Sequence, residues 1–464
     1  MGGVREEFAT SKRAVAHVIT NPPLRRLFAA YTASLVGNGV FTLTVAIVIF
    51  RAGGASAIGV LAVARYVAIA VLGPLTAGLL DNYDRRRMMA VAEAARLVCT
   101  VLAGVTIGLH SPVMWLGALV VLKGVAGTGF YPAQMAVLPE LSRTSEELAA
   151  ANVVTSLVES IGVFAGPALA GFFLAVATPA VAVGVAGAAF AASAILLASL
   201  SLMSPIHQSD DLVALLSRDG LATETSSGFL ARAVDGFRVV GTQRDVRALL
   251  LLYVLQCVVY GASTVFSVAI ALQLLHIGSA GLGLMESILG VGGLIGGVAA
   301  LMLVERSRLA WDFGLAVLAW GAPLLIIAFY PHLSAVLGVM AFVGLANSIV
   351  DINYLTVIQH MVANDHLGRV LGAVEAGEVI GMAIGALTMT GLIHVVGIRP
   401  GLAMIGGFVS LATLPGLPTM RRIDRETFAH DVRHHPHSIL RDRHTRYPTL
   451  HRHLTRRLHT ATQR

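Results

Sequence analysis

Apolar residues in this chain do not alternate with polar ones; they come in runs of about twenty, the length a helix needs to cross a hydrocarbon core of about 30 Å. The runs fall at Leu27 to Phe50, Ala57 to Leu80, Met88 to Leu109, Pro112 to Met135, Leu148 to Leu174, Pro179 to Leu202, Ala248 to Leu275, Leu282 to Val304, Leu309 to Phe329, Leu333 to Leu355, Val370 to Val396 and Gly401 to Leu417. None reads as the alternating strand of a barrel. A longer polar stretch, Ser204 to Arg247, separates the sixth run from the seventh. The pattern predicts an all-α membrane protein of twelve transmembrane helices in two six-helix bundles. The expected units are residues 1–24, a leading segment; 25–203, the first bundle; 204–247, a central loop; 248–417, the second bundle; and 418–464, a basic, His-rich tail expected to be disordered.

Composition strengthens this reading. With 56% hydrophobic and 13% charged residues and a mean hydropathy of +0.77, the chain has more apolar surface than a soluble core could absorb, so the excess faces lipid. Arginines and lysines then set the orientation, because loops rich in them stay in the cytoplasm. Lys12, Arg13, Arg25 and Arg26 precede the first run, Arg85 to Arg87 follow the second, Arg143 the fourth, and Arg218, Arg232, Arg238, Arg244 and Arg247 lie in the central loop. Arg306, Arg308 and Arg369 continue the alternation, whereas residues 52–56, 110–111, 276–281 and 331–332 have neither Arg nor Lys. Both termini are expected inside a plasma membrane. The leading segment lacks a compact apolar stretch with a cleavage site, so no removable signal is expected.

The net charge of +7 equals the balance of the last segment, where eleven arginines face Asp424, Glu426, Asp431 and Asp442. Its expected partner is the anionic cytoplasmic leaflet rather than nucleic acid. Histidines 434, 435 and 437 could hold a metal only with help, and a solvated tail with no metal is expected. Phe229, Ala233, Phe237 and Val240 recur at helical spacing and predict a short amphipathic surface helix, with a plain linker as the alternative. The two cysteines, Cys99 and Cys257, sit in apolar runs and read as packing residues.

After the second run stands Gly78-Leu-Leu-Asp81-Asn-Tyr-Asp-Arg85-Arg86-Arg87. It resembles the signature loop between the second and third helices of the major facilitator superfamily, especially its enterobactin-exporter-like and drug-exporter branches. Ala77, Asn82 and Asp84 depart from the usual residues. The resemblance implies that Asp81, with Arg85 and Arg86, latches the two halves, Asp81 facing the helix that starts near Asn364; an anion at a helix N-terminus is favoured by about 0.3–1 kcal/mol. The fifth run holds Gly162-Val-Phe-Ala-Gly166-Pro167-Ala-Leu-Ala-Gly171, similar to a motif that the superfamily associates with antiporters. Small residues four apart admit close helix contact, and Pro167 bends its helix. In the fourth run Leu119, Lys123, Gly127 and Gly129 resemble a superfamily pattern whose basic residue is usually arginine. Phe130 to Gln134, Leu138 to Leu141 and His366 to Val370 also look like the exporter branch, and glycines at 292, 293, 296, 297, 377, 381 and 385 mark helix faces able to slide.

A charge in hydrocarbon costs several kcal/mol, so each one there needs a partner, a wet cavity or a task. Lys123, Glu159 and Glu378 fall near mid-membrane, Arg65 nearer one end of its helix and Glu286 in the outer half. These five are the candidates for proton coupling and substrate contact, since a carboxylate in a partly dry cavity can exchange a proton in the physiological range. A buried ion pair of Glu159 or Glu378, for instance with Lys123 or Arg65, is the structural alternative. Glu93 and Arg96, three apart on one helix, are expected to neutralise each other. Asn347, Asp351 and Tyr354 share a face, and packing or gating is expected of them.

There is no catalytic constellation and no phosphate-binding Gly-x-x-x-x-Gly-Lys-Ser/Thr, so neither an enzyme nor direct use of ATP or another cofactor is expected. The expectation is a monomeric secondary transporter of the major facilitator type, exporting a drug-like or siderophore-like amphiphile against protons by rocking two bundles about a midplane cavity. A facilitative importer, a lipid transporter of the same fold, and a receptor or regulator that uses the tail are the alternatives.

Overall fold

The computed structural model describes residues 20–80, 84–201, 238, 240–303, 308–362 and 364–428. Among the described residues every regular element is a helix. Chain order gives α1 (Pro22–Leu80), α2 (Arg85–Gly108), α3 (Val113–Gly127), α4 (Phe130–Leu141), α5 (Ser145–Val176) and α6 (Pro179–Ser201). Beyond the central loop come α7 (Arg244–Ala269), α8 (Gly278–Leu303), α9 (Leu309–Phe329), α10 (Leu333–Met361), α11 (Asn364–Val395), α12 (Ile398–Thr413) and the short α13 (Leu417–Ile423). Asp81, the predicted amphipathic stretch up to Phe237, and the tail beyond residue 428 lie outside the described residues.

Eleven stretches among the described residues are long and apolar enough to cross a membrane, against the twelve expected. The difference lies in the first, which runs 51 residues from Pro22 to Leu72. A straight helix of that length would reach about 77 Å, far beyond one bilayer core. The helix is broken at Gly54, whose φ of 66° and ψ of −159° are open to glycine and strained for other residues. Two arms, residues 22–53 and 55–80, therefore leave one glycine in different directions with no loop between them. The turn from α7 to α8 uses the same device: a π turn, Ile270–Leu274, ends α7, and Gly278 has φ 70°.

Antiparallel succession puts the starts of α2, α5, α7, α9 and α11 at one end, with Arg85, Arg143, Arg244, Arg247 and Arg308; this is called the arginine-rich end. Arg51 and Arg399 lie at the other end, against the expected pattern. Arg399 is committed to backbone: its Nε donates to Ala328 O at 2.8 Å and a terminal nitrogen to Phe329 O at 3.3 Å, satisfying carbonyls left open where α9 stops.

α1 to α6 pack on one another, α7 to α12 do the same, and the two sets meet along α5–α8 and along α11 with the second arm of α1. Glycine sets these approaches. A side chain at Gly166 would lie 2.8 Å from the Gly39 Cα, and one at Gly283 would lie 2.6 Å from the Gly171 Cα. Gly59 abuts Thr390 across the other seam. Hydroxyls lie at the α5–α8 seam: Ser279 Oγ donates to Leu174 O at 3.4 Å, and Ser287 Oγ, which donates to Gly283 O of its own helix at 2.6 Å, sits 3.3 Å from Phe164 O. These contacts lie toward the arginine-poor end, so the halves are shut together there.

Helical structure continues past Leu417, where the sequence reading ends the second bundle, as far as Phe428. Asp424 supplies the reason. Its two carboxylate oxygens accept from Ala310 N and Trp311 N, each at 2.9 Å, capping α9 from a distant part of the chain. Arg421 lies over the Trp311 ring at 3.9 Å, and Arg422 pairs with Asp245 at the start of α7. Asp424→Ala is expected to lower stability by about 1–2 kcal/mol, seen as a lower melting temperature of the purified protein; an unchanged melt would show that the cap contributes nothing.

Candidate substrate cavity and its flanking carboxylates

A cavity of about 590 Å³ lies between the two sets of helices, in the half toward the arginine-poor end. Residues from α1, α2, α3, α5, α7, α8 and α9 line it. Three of the five sequence candidates, Arg65, Lys123 and Glu286, reach it; Glu159 and Glu378 do not line it.

Lys123 is only 4% exposed. Its Nζ donates to Asn38 Oδ1 at 2.7 Å and sits 4.3 Å from the centre of the Phe41 ring and 5.1 Å from that of Phe190. Two π faces and one amide oxygen thus offset part of the cost of burying an ammonium. The sequence alternative, a pair with Glu159, is not what the structure shows. Asn38 also accepts from Arg96 at 3.3 Å, and Arg96 donates to Ser34 Oγ at 2.9 Å and Glu93 Oε1 at 2.7 Å. The expected Glu93–Arg96 neutralisation is therefore present, with Glu93 fully buried and Ser34 Oγ donating to it at 3.0 Å. A side chain at Gly127 would come 3.1 Å from the Arg96 Nε, and one at Gly124 3.4 Å from the Arg65 Cγ. Glycine on α3 thus makes room for both guanidinium side chains, a physical reason for the Lys123 to Gly127 spacing.

Arg65 stacks by Tyr66, 5.4 Å from the ring centre. Glu286 enters from α8 with Ser267 of α7 beside it. Among the described residues no carboxylate lies within 4.0 Å of Arg65 or Lys123, and no cation within that distance of Glu286.

The other two candidates occupy a separate layer nearer the arginine-rich end. Tyr31 Oη donates to Glu159 Oε1 at 2.9 Å, with Tyr131 close by. Tyr253 Oη donates to Glu378 Oε2 at 3.2 Å and stacks on Tyr354, ring centres 4.0 Å apart. Asp351 accepts from Asn347 Nδ2 at 2.9 Å and lies within electrostatic reach of both Glu378 and Glu159. The layer thus pairs a carboxylate from each half with a tyrosine of that half. Sequence reasoning named Asp351 and Tyr354 but missed Tyr31, Tyr253 and Asn38, because a lone phenol or amide in an apolar run carries no signal of its own.

The gating residues fall in several places. Arg85 and Arg86 both reach Glu140 at the end of α4, at 3.0 and 3.6 Å, within one half. Gly162 packs on Leu35 and Gly166 on Gly39, both toward α1, while Gly171 and the Pro167 carbonyl meet Gly283 on α8. One stretch of α5 therefore serves a seam within its half and a seam between halves.

Together these features define a polytopic helical membrane protein whose two sets of helices enclose a largely apolar cavity that carries a few charged side chains. The sequence profile described as Major Facilitator Superfamily matches residues 27–301 and 249–441, and the chain belongs to that family. Its relatives include the multidrug efflux pump Tap of Mycobacterium tuberculosis, 26% identical over 425 residues that cover 87% of this chain and 95% of that protein. An uncharacterised MFS-type transporter, y4rN, of Sinorhizobium fredii is also 26% identical, over 85% of this chain and 95% of its own. Solved structures share the fold: a POT family transporter in complex with a thioalcohol-conjugated peptide has a TM-score of 0.67 at 13% identity, covering 86% of this chain and 96% of that one. The nucleoside transporter NupG has a TM-score of 0.66 at 10% identity, over 86% of this chain and 99% of its own.

Proposed function

We propose that the protein is a secondary active exporter of the cell membrane, working as a monomer with both termini cytoplasmic, and that it carries a small amphiphile outward in exchange for protons. The observation that carries this is the two-layer arrangement: a cavity with charges of both signs, and below it a carboxylate–tyrosine pair in each half. In this reading the two arms of α1 each cross the bilayer, which makes twelve crossings in two bundles joined by residues 204–247. The seams shut at the arginine-poor end correspond to a state closed to the outside. Rocking about them exposes the cavity to each side in turn.

Glu159 and Glu378 are the proposed proton carriers. Each is held by a phenol that can donate to the charged form and can turn to accept from the protonated one. Each half therefore keeps its carboxylate satisfied in both protonation states. The Tap relative is named as a multidrug efflux pump, which supports export as the direction. Glu159→Gln and Glu378→Gln are expected to abolish uphill transport in inverted vesicles while leaving downhill exchange of a preloaded fluorescent amphiphile in place. Uphill transport that survives both substitutions, or that ignores collapse of the proton gradient, would remove the coupling claim.

A further inference from the structure

The charges lining the cavity are unevenly divided. Arg96 is closed off by Glu93 at 2.7 Å, which leaves Arg65 and Lys123, both from the first half, and Glu286, from the second, lining the one cavity. None of the three has an opposite charge within 4.0 Å among the described residues. Lys123 is nearly fully buried, so its ammonium has little water to fall back on. Tyr260 of α7 lines the same cavity and lies within electrostatic reach of both Arg65 and Glu286. Aromatic side chains, Phe41, Tyr66, Tyr260 and Trp320, line the same cavity.

We infer that this cavity is built for a zwitterionic aromatic compound, its anionic group held by Arg65 and Lys123 and its cationic group by Glu286. The inference rests on the transport reading and narrows its substrate to one class. A volume of about 590 Å³ admits a drug-sized molecule. A purely cationic ligand would satisfy Glu286 and leave two cations facing it. A purely anionic ligand would leave Glu286 desolvated without a partner. A zwitterion answers both poles, and because the poles belong to different halves it also ties those halves together while bound.

The test uses three ligands on one ring: para-piperazinylbenzoic acid, a zwitterion at neutral pH; its methyl ester, a cation; and its N-acetyl derivative, an anion. Their affinities are measured by titration calorimetry on the full-length protein in lipid nanodiscs. The zwitterion is expected to bind at least about tenfold more tightly than either derivative, a gap of about 1.4 kcal/mol. Glu286→Gln should bring the zwitterion down to the affinity of the N-acetyl compound. Arg65→Met and Lys123→Met should each bring it toward that of the ester; if Lys123→Met fails to fold, the half-buried Arg65 position still decides the matter. An ester that binds as tightly as the zwitterion, or no binding of any of the three up to millimolar concentration, overturns the inference. Vesicle flux separates this from the transport reading: proton-driven export alongside a cation preference sinks only the substrate class, and selective zwitterion binding without flux sinks only the transport claim.

Discussion

Gly283→Leu is expected to cut transport by about ten- to a hundredfold while the protein still folds and reaches the membrane. The seam between α5 and α8 closes backbone to backbone, and a Cβ at position 283 would stand 2.6 Å from the Gly171 Cα and 2.7 Å from the Pro167 carbonyl oxygen. Overpacking of this kind costs about 1–3 kcal/mol. Here the cost falls only on the state in which the seam is shut, because parting the halves relieves it. A bias of that size shifts the balance between the two states by roughly one to two orders of magnitude. The same shift should be visible without any transport measurement. With Cys99 and Cys257 replaced by alanine, a cysteine at cavity position Thr42 should react faster with a membrane-impermeant maleimide from the arginine-poor side. Wild-type flux in Gly283→Leu would mean that this seam does not have to close during the cycle.

Glu93→Ala is expected to destabilise the protein by about 3–5 kcal/mol, the range for removing one partner of a buried ion pair. Glu93 is fully buried and neutralises Arg96 at 2.7 Å, while Lys123 stands in the same cluster through Asn38. Removing the carboxylate would leave two neighbouring cations with a single amide oxygen between them, and Ser34 would lose its acceptor. Glu93→Gln keeps an acceptor and the volume and should cost less. Yield of folded protein and melting temperature in detergent decide it; equal melts for wild type and Glu93→Ala would show that Arg96 finds compensation elsewhere.

How much of this could be read from the sequence depended on how far apart the interacting residues stood. Runs of apolar residues are local, so the spans were legible, with ends up to six residues from those of the helices, and Glu93–Arg96 was legible because three positions along a helix share a face. Lys123 was identifiable as a charge needing an answer, but its partner Asn38 lies 85 residues away, and spacing carries no information at that range. The same holds for Tyr31 with Glu159, 128 apart, and Tyr253 with Glu378, 125 apart. Mid-membrane depth grouped Lys123, Glu159 and Glu378 together, yet depth along a helix axis does not report azimuth. The structure accordingly splits that set, sending Lys123 to the cavity with Arg65 and Glu286 and the carboxylates to a layer of their own. Glycine-rich stretches were visible, but not which neighbour each served: Gly166 meets α1 and Gly171 meets α8, although five positions separate them. The helical structure beyond Leu417 was not legible because Asp424 was counted with its arginine neighbours, and its cap on α9 depends on a fold that brings residues 310 and 424 together.

The Ser34, Asn38, Glu93, Arg96 and Lys123 cluster belongs wholly to the first six-helix set. If the two sets swing as rigid bodies, Ser34, Asn38, Glu93 and Arg96 keep one another as neighbours at every stage, and the expense of dehydrating them is met once, during folding, instead of recurring with each passenger. The charges that face the gap, Arg65, Lys123 and Glu286 above and Glu159, Glu378 and Asp351 below, would then be the ones that change surroundings, and the electrical work of one turnover would be confined to those few groups.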